Sequence, residues 1–176
     1  YTQVKGDNAG TVRDLGGKQP YFWWEPEAAL NTNTSEKDLV HYRLAEMYLI
    51  AAEAIVKSTG SVTDEAAGYL ATIEARASLN KDFATIKSEL LAMSADAFVR
   101  EVWTEKIREL IFEYKIWNDI TRTRMYPALQ GNQFTFVNLL GAQNPWGRTF
   151  KESDLYLPIC QQEMQRNPAL AQEPIQ

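Results

Sequence analysis

The sequence contains few of the side chains from which catalytic and metal centres are usually built. Among its 176 residues there is one histidine, His41, and one cysteine, Cys160. A single thiol cannot form an internal disulfide, and with one imidazole it does not complete the ligand set of a zinc site. No Ser/His/Asp arrangement can be assembled either. We therefore expect no metal, no cofactor and no catalytic residues.

The given sequence also has no long apolar run, no basic cluster and no recognisable signal sequence. No stretch reaches the roughly 18 apolar residues of a membrane-spanning helix, and there is no signal peptide. The net charge is −5 and the pI is near 5.0, whereas nucleic-acid binding needs a cationic stripe to neutralise phosphates. We therefore expect no nucleic-acid binding. Because the chain opens on Tyr1 without Met, we also expect that it is a fragment or a processed product.

What the sequence does have is 45% apolar residues, enough for one domain with a packed core. Residues 1–34 are expected to be an irregular lead-in that contains aromatic residues, and residues 35–124 a helical core. Residues 125–176 are rich in Gly and Pro and should be mostly loop, with a candidate strand at 134–140. The predicted fold class is all-α, with helices packed against an irregular, loop-rich C-terminal lobe of the same domain.

The helical part is predicted to contain four helices. Ser35 is the expected cap of the first, which runs to about Lys57 and ends at Gly60. A second helix over 64–78 would form an αα-hairpin with the first, and a short helix is expected over 82–92. The stretch 96–122 has no Gly or Pro, so it favours one long helix, capped by Ser94 or Asp96.

Charged residues occur inside the apolar faces of these helices. Glu105, Glu109 and Glu113 form a row within an apolar sector of the long helix. Buried carboxylates are costly unless they are paired with cations. We therefore predict a structural charge network with the members Arg43, Glu46, Glu53, Arg76, Glu105, Arg108, Glu109, Glu113, Asp119 and Arg122. A hydrolase that uses the glutamate row for acid–base chemistry is an alternative.

Aromatic residues stand out in the two irregular parts. Residues 21–24 read Tyr-Phe-Trp-Trp, and Trp146 lies in the Gly- and Pro-rich end of the chain. Aromatic rings in a loop can stack on the apolar face of a sugar. They can equally seal the loop onto the core, and the residues alone leave both interpretations open. The candidate ligand-binding residues are Tyr21, Trp23, Trp24 and Trp146.

Four sequence blocks follow one another in a recognisable order. The first, RLAEMYLIAAEA at 43–54, has the form R-x-A-E-x-Y-L-x-x-A-E-A, and the second, IEARA at 73–77, is similar to I-R-x-R-A-G. The third joins EKIRELIFE at 105–113 to WNDITR at 117–122 and is similar to E-R-R-x-E-L-x-x-E-G-x-R-W-x-D-L-x-R. The fourth, LPI at 157–159 with Glu163 and NPALAQ at 167–172, is close to L-P-I-P-x-x-E-x-x-x-N-P-x-L-x-Q-N-P. Together they resemble the C-terminal region of the SusD/RagB family of outer-membrane nutrient-binding lipoproteins.

The chain departs from the family pattern at several of these positions. The replacements are Glu74 for the first Arg of the second block, Ser78 for its Gly, Lys106 and Ile107 for an Arg pair, Tyr114 for Gly, Ile116 for Arg, and Cys160 for the second Pro of the fourth block. These positions belong to the structural signature rather than to a ligand site. They therefore bear on the core network more than on family membership.

The resemblance implies tetratricopeptide-like helix pairs packed against an irregular lobe, within a longer parent protein whose N-terminal part is absent here. That part would carry the lipid anchor of an outer-membrane, cell-surface protein. Such a protein is not an enzyme: it captures an oligosaccharide, or in some members a peptide, and delivers it to a SusC-type TonB-dependent transporter. The family's ligand residues lie largely in variable loops, so no binding residue is transferred by motif. A helical-repeat module for protein interaction is the alternative function.

Overall fold

The computed structural model describes residue 38 and residues 40–144, 146–156, 159–167 and 169–170, together with the backbone of two short strands. These strands, β1 (Val4–Lys5) and β2 (Val12–Arg13), pair in antiparallel fashion. The chain divides into two compact units, Tyr1–Met47 and Tyr48–Gln176. Most of the described residues belong to the second unit, which contains all the helices except the first turn of α1.

The described residues are mainly helical, which confirms the predicted fold class. The helices are α1 (Leu44–Thr59), α2 (Asp64–Ala77), α3 (Phe83–Leu91), α4 (Ala95–Glu109), α5 (Ile116–Thr123) and α6 (Gln161–Arg166). Two longer strands, β3 (Met125–Gln130) and β4 (Gln133–Asn138), lie between α5 and a 3-10 turn at Glu152–Leu155. Within the described ranges, no helix has the length and apolar character needed to cross a membrane.

Side-chain caps explain where three of the helices begin. Thr63, Asp82 and Ser94 precede α2, α3 and α4, and each accepts a hydrogen bond from the backbone N–H three residues further on. Such a bond satisfies one of the orphan donors of the first turn. Gly60 follows the end of α1 with a φ of +70°, which glycine adopts without strain. The short connections between the first four helices follow from these local signals.

The predicted start of the first helix is wrong. Ser35 lies outside the described residues, but residues 40–43 are not helical, and α1 begins at Leu44. Val40, His41 and Tyr42 are exposed, so a helical turn there would bury little apolar surface. Because helix stability in proteins comes mostly from packing, propensity alone does not extend α1 toward Ser35.

The predicted long helix over 96–122 is also wrong, because residues 110–115 interrupt it between α4 and α5. Phe112 and Tyr114 have φ values of +66° and +59°, in the left-handed region that non-glycine residues rarely adopt. The ring of Phe112, which a continuous helix would place in an apolar sector, is exposed. A sequence without Gly or Pro hides this interruption. In the SusD/RagB pattern, however, position 114 is a glycine.

A β-hairpin replaces the predicted loop after α5. β3 and β4 pair from Met125 opposite Asn138 to Gln130 opposite Gln133, and Gly131 in the connecting turn has a φ of +62°. Alternating residues indicated β4, whereas Pro127 argued against a strand at β3 because proline cannot donate to a ladder. The hairpin is held to the end of α5, since the N–H of Leu139 donates to the carbonyl of Arg124 at 2.8 Å.

The core of the second unit is built from small and aliphatic side chains of α1 to α4. The fully buried side chains of these helices are Leu49, Ala52, Val56, Ala66, Ala67, Leu70, Ala71, Leu90 and Val102, together with the ring of Phe98. Leu110, after α4, and Leu139, after β4, are fully buried as well. Tyr48 of α1 stacks on Tyr69 of α2 with ring centroids 5.1 Å apart. On the other side of α4, Trp103 meets the ring edge of Phe136 in β4 at 5.3 Å. α4 therefore lies between the helices and the hairpin.

Tyr114→Gly is expected to be more stable than Tyr114→Ala by about 1 kcal/mol. Both changes remove a ring that is 87% exposed, but only glycine removes the strain of a positive φ. Urea unfolding of the two variants measures the difference. Ala75→Gly within α2 is the control, because glycine costs about 1 kcal/mol relative to alanine inside a helix. A more stable alanine variant would mean that residue 114 is helical.

Candidate functional site

A network of charged side chains is centred on Glu53 in α1. The Glu53 side chain is 5% exposed, and Arg122 of α5 donates to both of its oxygens at 2.9 Å. Lys106 of α4 donates to Oε2 at 3.3 Å, and Lys57, one turn along α1, lies 2.9 Å from Oε1. One buried carboxylate of α1 thus joins this helix to α4 and α5, which are distant from it in sequence.

Asp119 completes this network from α5. Its Oδ1 accepts hydrogen bonds from Lys106 at 3.1 Å and from Arg122 at 2.8 Å. The Lys106 side chain is as buried as that of Glu53, so its ammonium group lies between two carboxylates and away from water. A buried cation is tolerated when it has several such partners. Lys106 therefore keeps the charge that an arginine supplies in the SusD/RagB pattern.

The network shifts the pKa values of its two strongest partners in opposite directions. Burial alone would raise the pKa of Glu53, but hydrogen bonds from Arg122 and Lys57 lower it to about 2. The hydrogen bonds to Glu53 in turn raise the pKa of Arg122. A general acid or base works best with a pKa near the operating pH. The charges around Glu53 are therefore suited to holding helices together and not to transferring protons.

The end of α4 divides the predicted glutamate row. Glu105 is buried and pairs with Arg108 at 3.3 Å. Glu109, whose side chain is 10% exposed, pairs with Arg76 of α2. Glu113 is half-buried and lies in the interruption between α4 and α5. The three carboxylates therefore do not share one helical face, because that arrangement requires a continuous helix.

Two predicted members of the network lie in the unit Tyr1–Met47. Arg43 directly precedes α1, and its carbonyl accepts the N–H of Glu46 at 3.0 Å. Glu46 is buried in the first turn of α1.

The sequence prediction missed two members of the network, Lys57 and Lys106. The spacing of Glu53 and Lys57 at i and i+4 is a signal that could have identified one of them.

A crevice with a cavity volume of about 20 Å³ lies beside the network, between α4, α5 and the hairpin. Its walls are mostly apolar and include Trp103, Ile116, Met125 and Phe136. The volume is far below the range of roughly 300–1,000 Å³ for small-molecule sites. Its charged groups include Lys106 and Asp119, which already bind each other, so they offer little to an incoming ligand.

Trp146 lies in a tight loop between the hairpin and the 3-10 turn. Asn144 organises this loop, because its Oδ1 accepts the N–H of Trp146 at 3.0 Å and that of Arg148 at 2.9 Å. The N–H of Asn144 donates to the carbonyl of Arg148, also at 2.9 Å. The guanidinium of Arg148 donates to Asp154 at 2.5 Å. Hydrogen bonds within a short segment therefore fix the backbone around Trp146.

The Trp146 ring is 88% exposed, so it does not seal its loop onto the core. A large aromatic ring that is fixed at its backbone and open at its faces can act as a stacking surface. The other ligand-binding candidates, Tyr21, Trp23 and Trp24, lie outside the described residues. Trp117, on α5, is 40% exposed.

The single histidine and the single cysteine of the chain lie at the surface. His41 and Cys160 are both exposed. Within the part of the chain that the structure describes, no group of three or more His, Cys, Asp or Glu side chains could hold a metal ion. The described part of the chain therefore offers two candidate functional features. The Glu53 network is structural, and the Trp146 loop can contact a ligand.

Glu53→Gln is expected to lower the free energy of unfolding by about 3–5 kcal/mol at pH 7, because Lys106 stays buried and loses a carboxylate. The folded pKa of Glu53 is below its ordinary value of 4.5. Its contribution is therefore complete above pH 4.5 and is lost as the pH falls toward 2. The stabilities of wild type and variant should converge in that window.

Urea unfolding at several pH values between 2 and 7 checks this prediction. Glu65→Gln is the matched control, since Glu65 is an exposed glutamate on α2, and it should change stability by less than about 0.5 kcal/mol. A gap between wild type and Glu53→Gln that stays constant from pH 7 to pH 2 would contradict the assigned role of the ionised carboxylate.

Comparison with known proteins finds matches over most of this chain. The family model described as SusD family matches residues 21–175. A crystal structure of a SusD superfamily protein from Parabacteroides distasonis is similar, with a TM-score of 0.64 and 29% sequence identity. The match covers 77% of this chain and 26% of that one, so the chain spans about a quarter of that protein's length. No curated protein matches the sequence. The chain belongs to the SusD/RagB family.

Proposed function

We propose that this chain is part of a cell-surface protein that captures glycans and delivers them to a SusC-type TonB-dependent transporter of the outer membrane. Membership of a family of nutrient-binding lipoproteins supports a binding role and argues against an enzyme. The same membership supports a lipid-anchored position at the outer membrane. The transporter partner and the location rest on the family alone, whereas the ligand class also rests on the Trp146 loop.

The display of Trp146 is the observation that carries the glycan proposal. A pyranose ring has an apolar C–H face that stacks on an indole, and polar groups at the rim of a site fix its orientation. Arg148 supplies such a group two residues away, with a side chain that is 68% exposed. Because the loop is already ordered by Asn144, little conformational entropy is lost when a sugar binds.

Trp146→Ala is expected to weaken binding of oligosaccharides by about tenfold or more, which corresponds to roughly 1.4 kcal/mol or more of stacking energy. Its free energy of unfolding should change by less than about 0.5 kcal/mol, because the ring is exposed. Isothermal titration calorimetry with a panel of neutral oligosaccharides measures the affinity, and thermal melting measures the stability. Leu79→Ala removes another highly exposed apolar side chain and should change neither quantity.

The salt dependence of binding provides a second measurement. A neutral sugar has no charge to screen, so the affinity should be nearly unchanged between low and high salt. An early melt of Trp146→Ala with unchanged affinity would contradict the stacking role. Binding of a peptide, and not of a sugar, at this loop would keep the site and change the ligand class.

The transporter partner needs its own experiment. Chemical cross-linking of intact cells that carry the full-length protein, followed by mass spectrometry, should give cross-links between lysines of this chain and a TonB-dependent outer-membrane protein. Cross-links that involve only other classes of protein would contradict this part of the proposal and leave the ligand proposal in place.

A further inference from the structure

A carboxylate that lacks a cation lies near the end of α2. Glu74 is half-buried, and its Oε1 is enclosed. No group in the described part of the chain donates a hydrogen bond to that oxygen. The situation differs from that of Arg76, two residues further on, which pairs with Glu109 of α4. An enclosed carboxylate without a partner is unfavourable when it is ionised.

The charged side chains that face Glu74 are mostly acidic. Glu101 and Glu105 of α4 and Glu89 of α3 repel the ionised Glu74 carboxylate, and Arg108 of α4 attracts it. Arg108 is already engaged, because its Nη1 donates to Glu101 at 3.1 Å and to Glu105 at 3.3 Å. A single guanidinium thus serves two carboxylates and leaves the third, Glu74, uncompensated.

The remaining acid of this group is also engaged elsewhere. Glu89 pairs with Lys81 at 2.6 Å, so that lysine does not neutralise Glu74 either. In the SusD/RagB pattern the residue at position 74 is an arginine, which would meet Glu101 and Glu105 as an ion pair. In this chain the charge at that position is reversed.

Burial is the largest cause that raises the pKa of Glu74, and the carboxylates of Glu101 and Glu105 raise it further. These effects exceed the opposing attraction of Arg108, and the pKa rises from 4.5 to about 7. Burial also raises the pKa of Glu105. A proton added in this cluster is therefore held more tightly than on an exposed glutamate.

We propose that Glu74 makes the packing of α2 against α4 sensitive to pH near neutrality. When it is protonated, Glu74 is neutral, so its enclosed carboxyl group is not repelled by Glu101 and Glu105. When the proton leaves to solvent, three carboxylates face one guanidinium and repel each other. The contact between α2 and α4 is therefore tight at mildly acidic pH and weaker above neutral pH.

The direction of the effect on stability follows from proton linkage. The folded pKa lies above the ordinary value of 4.5, so the stabilising effect of the proton is complete below pH 4.5. It is lost as the pH rises to about 7. Because each pKa unit is a tenfold change in equilibrium, the unfolding constant should rise on the order of a hundredfold over this window. Glu53 titrates below pH 4.5, so the two effects do not overlap.

Urea unfolding of the whole chain between pH 4 and 8 tests the proposal with two variants. Relative to Glu74→Gln, the wild-type unfolding constant should rise on the order of a hundredfold between pH 4.5 and 7.5. Glu163→Gln, which changes an exposed glutamate on α6, should follow the wild type. Glu74→Arg should lose the pH dependence, because a cation at this position pairs with Glu101 and Glu105. Parallel wild-type and Glu74→Gln profiles would overturn the proposal.

A measurement on the wild-type protein keeps the proposal testable if the variants fail to fold. Carbon NMR of the glutamate side-chain carboxyls, titrated from pH 4 to 8, should give a midpoint near 7 for Glu74. A midpoint near 4.5 would overturn it. Amide hydrogen exchange, corrected for the intrinsic effect of pH, should show faster opening of α2 above neutral pH, whereas unchanged opening would count against it.

Discussion

The ion pairs of Glu53 are the constraint on which the rest of the second unit depends. The helical hydrogen bonds of α4 end with the N–H of Leu110, which donates to the carbonyl of Lys106, so the α4 ladder does not continue into α5 and cannot fix its direction. Lys106 lies before that point and Arg122 after it, yet both bind the same carboxylate. Because a buried charge without partners is strongly unfavourable, α5 must return to the position in which Arg122 and Asp119 reach the network.

The strained residues between α4 and α5 make this return feasible. Phe112 and Tyr114 adopt left-handed backbone conformations, which cost about 1–2 kcal/mol each. A straight helix would carry Arg122 about 24 Å beyond Lys106 along its axis, at a rise of about 1.5 Å per residue, and the two could not share one carboxylate. Burial of Leu110 and Ile120, on either side of the interruption, and the ion pairs of Glu53 can together offset such strain.

Short contacts then transmit the position of α5 to the Trp146 loop. Leu139, after β4, is hydrogen-bonded to Arg124 at the end of α5. Tyr126 of β3 contacts Phe150 with ring centroids 5.1 Å apart, and Arg124 pairs with Glu152 at 3.2 Å.

The sequence predicted some features of the fold and of the candidate site, and it hid others. The cap at Ser94 follows from residue type and position, and the presence of a buried charge network follows from the cost of burial. The interruption at Tyr114 was hidden because residues 96–122 contain no Gly or Pro, and β3 was hidden because Pro127 lies within it. The exposure of Trp146 was left open because an aromatic ring in a loop can either stack on a ligand or seal the loop.

The closure of the Trp146 loop by its own hydrogen bonds separates the part of the chain that meets a ligand from the part that holds the fold. Asn144 and Asp154 shape the loop from within residues 144–154, and the exposed ring adds almost nothing to the core. Replacements at its tip would therefore be nearly neutral for folding, while replacements at Glu53 or Lys106 would not. Related proteins could exchange this tip for another and change what they recognise, while the buried ion pairs hold the helices in the same places.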